Sequence, residues 1–155
     1  MAYLKLQVSK GIAVSPSDST PLPNPEFIMT TGTTTATTAT KLVDSAATFT
    51  TSVEVGNIVV NTTDNTMTNI TAIDSDTTLS VDDDIFTSGE TYTIYKQAET
   101  GGAILYCGGT GDIKLTTSSG SILTFSGINA GTFVPVQTIK VFSTGTDATN
   151  IIALW

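Results

Sequence analysis

Threonine occupies 32 of the 155 positions, and no other feature restricts the fold as strongly. Its branched Cβ is stiff at χ1 and suits a pleated surface better than a helix. Valine and isoleucine add to the same bias, and no long stretch places Ala, Leu, Glu and Lys at helical spacing. The apolar runs are short, and Asn, Asp, Ser or Gly separates them, which is the pattern of strands and tight turns. The length suits one ordinary domain or two small ones and is enough to bury a core without disulfide staples. Cys107 is the only cysteine, so no intrachain disulfide is available. It reads as a small buried hydrophobe.

The runs fall into two groups. Residues 3–8 alternate as a half-buried strand, with Leu4, Leu6 and Val8 on one side. Residues 15–25 carry Pro16, Pro21, Pro23 and Pro25, which exclude a helix or a central strand and predict an extended arm. A low-complexity Thr stretch follows at 30–40. Leu42, Ala46 and Phe49 then permit a short helical turn. Strands are expected at 57–62, 66–73, 77–81 and 91–96. After a polar, Gly-containing stretch at 97–102 the pattern restarts, with strands at 103–107, 112–117, 121–126 and 132–142. Leu123 and Phe125 are expected to face inward. Pro135 puts the last of these strands at an edge or gives it a bulge. Residues 148–155 form an almost wholly apolar end, which has to pack in a sheet or against a partner. The organisation expected is an all-β fold: a small β-sandwich or jelly-roll-like outer domain, residues 1–29 and 99–155, with a small Thr-rich β-barrel-like domain inserted at 30–98. On that reading, deleting residues 33–98 leaves a folded protein.

Composition excludes several functions. The net charge is −8, the six lysines are dispersed, and arginine is absent. Nucleic-acid binders cluster Lys and Arg against phosphates, so neither DNA or RNA nor an anionic membrane surface is an expected partner. Histidine is absent, which removes the Ser-His-Asp and Cys-His nucleophile pairs and the usual zinc ligands. The glycines at 108, 109 and 111 lie between two strand-like runs with no helix to follow, so they read as a turn and not a phosphate cradle. Paired carboxylates are the one remaining route to acid–base chemistry. The candidates are Asp74, Asp76, Asp82, Asp83 and Asp84. They sit where Asp and Ser ordinarily form turns. Calcium is the next reading, because hard oxygen ligands cluster there, although EF-hand spacing is missing. No catalytic residue, metal site or cofactor is expected. The N-terminal residues lack the apolar core of a signal peptide, so synthesis in a cytoplasm without export is expected.

The outer pieces carry a resemblance. Ser17-Asp18 in the proline arm, Gly111-Asp112, Gly131-Thr132, Val134-Pro135-Val136 and the stretch from Gly145 to Trp155 stand in the order found in a known family. Together the outer 85–90 or so residues resemble the small head spike-base proteins of tailed phages and gene transfer agents. The insert resembles, more weakly, Thr-rich β modules of phage virion proteins. The resemblance implies a non-enzymatic virion protein on the outer capsid surface, made in a bacterial cytoplasm. Its implied partners are the major capsid protein, further copies of itself as a trimer or pentamer, and a spike fibre protein. An outward-facing insert also suits a decoration or cement protein. The expected partner contacts are Pro16, Pro21, Pro23 and Pro25 of the arm and Ile151, Ile152, Leu154 and Trp155 of the apolar end. A tail or baseplate adhesin that binds host glycans through Tyr92, Tyr95, Tyr106 or Trp155 is the alternative.

Overall fold

The computed structural model describes residues 8–98 and 101–155. The strand expected at 3–8 lies, but for Val8, outside them. In chain order the elements are β1 (Gly11–Ala13), β2 (Pro23–Thr33), β3 (Lys41–Val43), α1 (Phe49–Ser52), β4 (Ile58–Asn61), β5 (Thr66–Ser75), β6 (Thr78–Val81), β7 (Thr91–Gln97), β8 (Ala103–Cys107), β9 (Gly111–Thr117), β10 (Ile122–Ile128), β11 (Thr132–Val141) and β12 (Ile151–Leu154). The fold is all-β, built from two antiparallel six-stranded sheets.

The first sheet runs β1-β12-β8-β11-β9-β10 and the second β2-β7-β4-β5-β6-β3. The first therefore draws its strands from residues 11–13 and 103–154, and the second from 23–97. The second sheet curls on itself. Residues 35 and 36, which follow β2, meet β3: the Thr35 N–H donates to the Val43 carbonyl at 2.7 Å, and Ala36 bridges Val43. The ladder thus closes into a barrel-like ring, which removes most of the free strand edge.

Two cores result. One fills the barrel with Leu42, Phe49, Val59, Ile70, Leu79 and Ile94, among others. The other lies between the barrel wall and the first sheet. It joins Leu22, Ile58, Val60 and Met67 to Leu105, Ile113, Leu115, Val134 and Ile151. Strand β4 serves both: Ile58 and Val60 face the first sheet and Val59 faces the barrel interior. All four of its residues are buried, which explains why it does not alternate in polarity.

Two elements depart from expectation. Strand β2 replaces the end of the proline arm and the start of the Thr stretch. Its prolines are tolerated because β2 has only β7 as a ladder neighbour over its length, and its register slips between Asn24 and Ile28. Residues 23–29 consequently pair in the second sheet. The helical turn shrinks to four residues, and Leu42 lies in β3 instead. Strand β11 meets the expectation for Pro135 in its second form: the strand is central, and its register shifts between Val134 and Thr138, so Pro135 sits in a bulge. Residues 108–110 connect β8 to β9 as a turn. A side chain at Gly111, whose φ is +151°, would meet the Ala148 nitrogen at 2.5 Å.

Candidate functional site

The acidic candidates do not converge. Asp74 forms an ion pair with Lys41 at 2.7 Å and accepts from the Ser80 hydroxyl at 2.9 Å. Those hydrogen bonds, Lys41 first, hold its carboxyl below the ordinary 3.8. Asp76 accepts from the Thr50 hydroxyl and Asp82 from the Ser19 hydroxyl. The Asp83 N–H donates to Thr68, and Asp84 accepts from the Thr40 N–H at 2.9 Å. Turn geometry thus gives four of the five carboxylates separate partners. Among the described residues, no group of three or more Asp, Glu, Cys or His side chains is placed to hold a metal ion.

Two other carboxylate arrangements were invisible in the sequence because their members lie far apart in it. Asp64 and Glu90 line a cavity of about 410 Å³ with Thr37, Asp84 and Thr87. Glu90 accepts from the Thr87 N–H at 2.7 Å and from the Asn61 amide at 2.9 Å, which hold its carboxyl low. Partial burial, and then Glu90 itself, push Asp64 upward. Asp64 is nevertheless exposed, so water and not the protein dominates its surroundings. Among the described residues, Asp44 is the one buried carboxylate, at 5% exposure. The Tyr92 hydroxyl donates to its Oδ2 at 2.7 Å, and the Ala46 N–H donates to its Oδ1 at 2.9 Å. Gly32 lies directly against this pair, and a Cβ there would come within 2.5 Å of the Tyr92 oxygen. Burial, and then Asp44, raise the tyrosine's pKa. The pair is a buried structural lock beside a cavity of about 420 Å³ lined largely by threonines.

The expected partner contacts divide. Pro23 and Pro25 are buried by their own chain, so they have little surface left for another. Pro16 and Pro21 are half-buried. The arm is stitched to its own molecule: Ser17 N–H donates to Val141 at 2.9 Å, Leu22 N–H to Ile139 at 2.8 Å, and Ala98 N–H to Leu22 at 2.9 Å. Asp18 accepts from the Thr144 N–H at 3.0 Å and from its hydroxyl at 2.5 Å, which lower its pKa. Asp147 N–H donates to the Asp112 carbonyl at 3.0 Å, and Gly127 N–H to the Asp112 carboxylate at 2.7 Å. At the apolar end, Ile151 is core and Leu154 and Trp155 are half-buried, while Ile152 is exposed. Of the four candidate aromatics, Tyr92 is buried and Tyr95 and Trp155 pack against the core between the sheets, which leaves the half-buried Tyr106 facing outward, with its ring centroid 5.2 Å from that of Phe133. Phe27, Ile28 and Met29 are all exposed at the β2 register slip. No family model, curated protein or solved structure matches the chain.

Proposed function

We propose that this chain is a non-enzymatic structural protein of a tailed-phage virion, decorating or cementing the outer capsid surface or forming the base of a vertex spike. What carries the reading is how the resembling segments meet. The proline arm, the Gly111-Asp112 turn and the C-terminal stretch are far apart in sequence. Residues 17–22 of the arm bond to β11 of the first sheet, while Pro23 and Pro25 pair in the second, and the Asp18–Thr144 and Asp112–Asp147 hydrogen bonds tie the arm and the turn to the C-terminal stretch. A low-charge, Thr-rich β surface supports the same role, because it offers hydroxyls to neighbours without the cost of desolvating charge. The partners on this reading are the major capsid protein, further copies of the chain and a spike fibre protein. Synthesis is in the bacterial host cytoplasm.

The test is cosedimentation of the purified protein with capsids stripped of their accessory proteins. Saturable binding at a fixed number of copies per capsid is expected. A folded protein that stays in the supernatant at every concentration overturns the reading. The outward-facing pair of half-buried Tyr106 and exposed Phe133 keeps one alternative, a tail or baseplate adhesin, because aromatic faces serve as platforms for sugar rings. A glycan array without a hit removes it.

A further inference from the structure

An open strand edge invites pairing with another chain, and folded proteins blunt it with charge, proline, bulges or short length. Among the described residues this molecule blunts every edge but one. Strand β1 is only three residues long, and Lys10 beside it pairs with Glu26 at 3.6 Å. The free side of β2 carries Pro23, Pro25, Glu26 and two register slips. The barrel closes through Thr35 and Ala36. Strand β10 has none of these devices over residues 122–125. It ends the first sheet, with β9 as its one ladder neighbour, and its register shift comes after Phe125. Residues 115–139, which contain it, hold no Asp, Glu, Lys or Arg.

The hairpin fixes which backbone groups are left over. The Thr117 N–H donates to the Ser121 carbonyl at 2.9 Å, and Ile122 stands opposite Thr116. By the alternation of an antiparallel ladder, Leu123 and Phe125 bond to β9, and Ile122 and Thr124 turn both N–H and C=O to the free side. Apolar side chains flank these groups above and below: Ile122 is 59% exposed on the outer face, and Leu123 is 39% exposed on the core-facing side. The nearest cation is Lys114, opposite Thr124. Its ammonium lies over the Phe142 ring, 5.0 Å from the centroid, on the far side of β9 from this edge.

These features specify the occupant. Outward N–H and C=O groups at alternate residues are matched by the backbone of another extended strand. A charged side chain on either face of that strand would lose water beside Ile122 or Leu123 without gaining a counter-ion. A further copy of this chain does not fit the ring that the virion reading implies. Strand β10 against β10 is isologous and stops at two copies, and β1, the other open end of the sheet, is too short to match it.

We infer that the free edge of β10, at Ile122 and Thr124, is a strand-addition site that takes an extended, uncharged segment of a different polypeptide. This deepens the virion reading and rests on it only for the partner's being another virion chain. Its test needs no capsid, so the two can fail separately.

The probe is the capped peptide Thr-Val-Thr-Val-Thr-Val, titrated into the isotope-labelled full-length protein and followed by amide NMR and hydrogen exchange. Saturation at about 1 mM is expected, the affinity of a few net hydrogen bonds. Shifts are expected to centre on residues 122–125, with new exchange protection at the Ile122 and Thr124 amides. The same peptide with every nitrogen methylated is expected to give no response. So is a version with Lys in place of each Val, although the acidic chain attracts it. Thr124→Pro removes only an outward N–H and is expected to abolish the response with an unchanged circular dichroism spectrum. If that variant misfolds, the methylated peptide decides instead. No response at about 10 mM overturns the inference. So does a response centred elsewhere, or one that the methylated peptide reproduces. Protection of Ile122 and Thr124 that appears when the protein alone is concentrated also overturns it, and gives the edge to a second copy.

Discussion

Tyr92 and Asp44 lie at the barrel core, where water does not satisfy a hydroxyl or a carboxylate. The hydrogen bond between them, with the Ala46 N–H, is what makes their burial tolerable. Removing one partner strands the other. Tyr92→Phe is expected to lower stability by about 1–3 kcal/mol, the usual cost of leaving a buried polar group unpaired. Chemical denaturation measures it, and a change within experimental error would mean that Asp44 finds another donor. At the surface, Asp74 illustrates the acid side of stability. Its pKa is lowered in the folded chain by Lys41 and Ser80. A carboxyl of this kind stabilises the fold above its unfolded value of 3.8, and the contribution disappears as pH falls through the folded value. Asp18 behaves alike, and so does Glu90 with 4.5 as its unfolded value. Asp64, whose pKa is raised, works in the opposite direction: its contribution is complete below 3.8 and disappears as pH rises through the folded value. Lys41→Ala is expected to move the Asp74 carboxyl up toward 3.8, read by carbon NMR titration; an unmoved value contradicts the assignment.

Burial along the strands sets what each element tolerates. Ile94 in β7 is fully buried inside the barrel, and Ile122 in β10 is 59% exposed on the last strand of its sheet. Ile94→Ala is expected to cost about 2–5 kcal/mol through lost burial and the cavity left behind. Ile122→Ala is expected to stay within about 0.5 kcal/mol. Equal losses would mean that β10 is covered in solution. The strands most legible in the sequence were those whose period-two pattern faces one core, such as β9 with Ile113 and Leu115. Strand β2 was not legible, because its prolines and low-complexity threonines look like a linker. Only pairing with β7, through a register slip that accommodates Pro23 and Pro25, makes them a strand. Leu123 points to the core side as expected but stays 39% exposed, because the last strand of the sheet outruns the core beneath it. The Asp64–Glu90 and Asp44–Tyr92 pairs could not be read at all. They are created by tertiary folding across 26 and 48 positions of chain, with no local motif.

On the scale of the whole molecule, the two sheets are coupled through the core that joins Ile58, Val60 and Met67 to Leu105, Ile113 and Leu115. The barrel wall is therefore the lid of that core. Deleting residues 33–98 exposes the inner face of the first sheet to water. The expected product is aggregated or molten, contrary to what sequence alone suggests, and a soluble deletion with a cooperative thermal transition would contradict the shared core. The same arrangement gives the molecule two ends: an acidic barrel, since residues 30–98 hold nine of the 14 acidic residues, and a first sheet with fewer acidic groups. A capsid accessory needs such polarity, with one side for its partners and one for solvent. Electron cryo-microscopy of stripped capsids re-bound with this protein is the most direct test. Density for the chain at one class of symmetry position on the outer shell, with the first sheet toward its neighbours and the barrel outward, is the result predicted. Bare capsids beside a folded protein, or density confined to the tail, would contradict a role on the head.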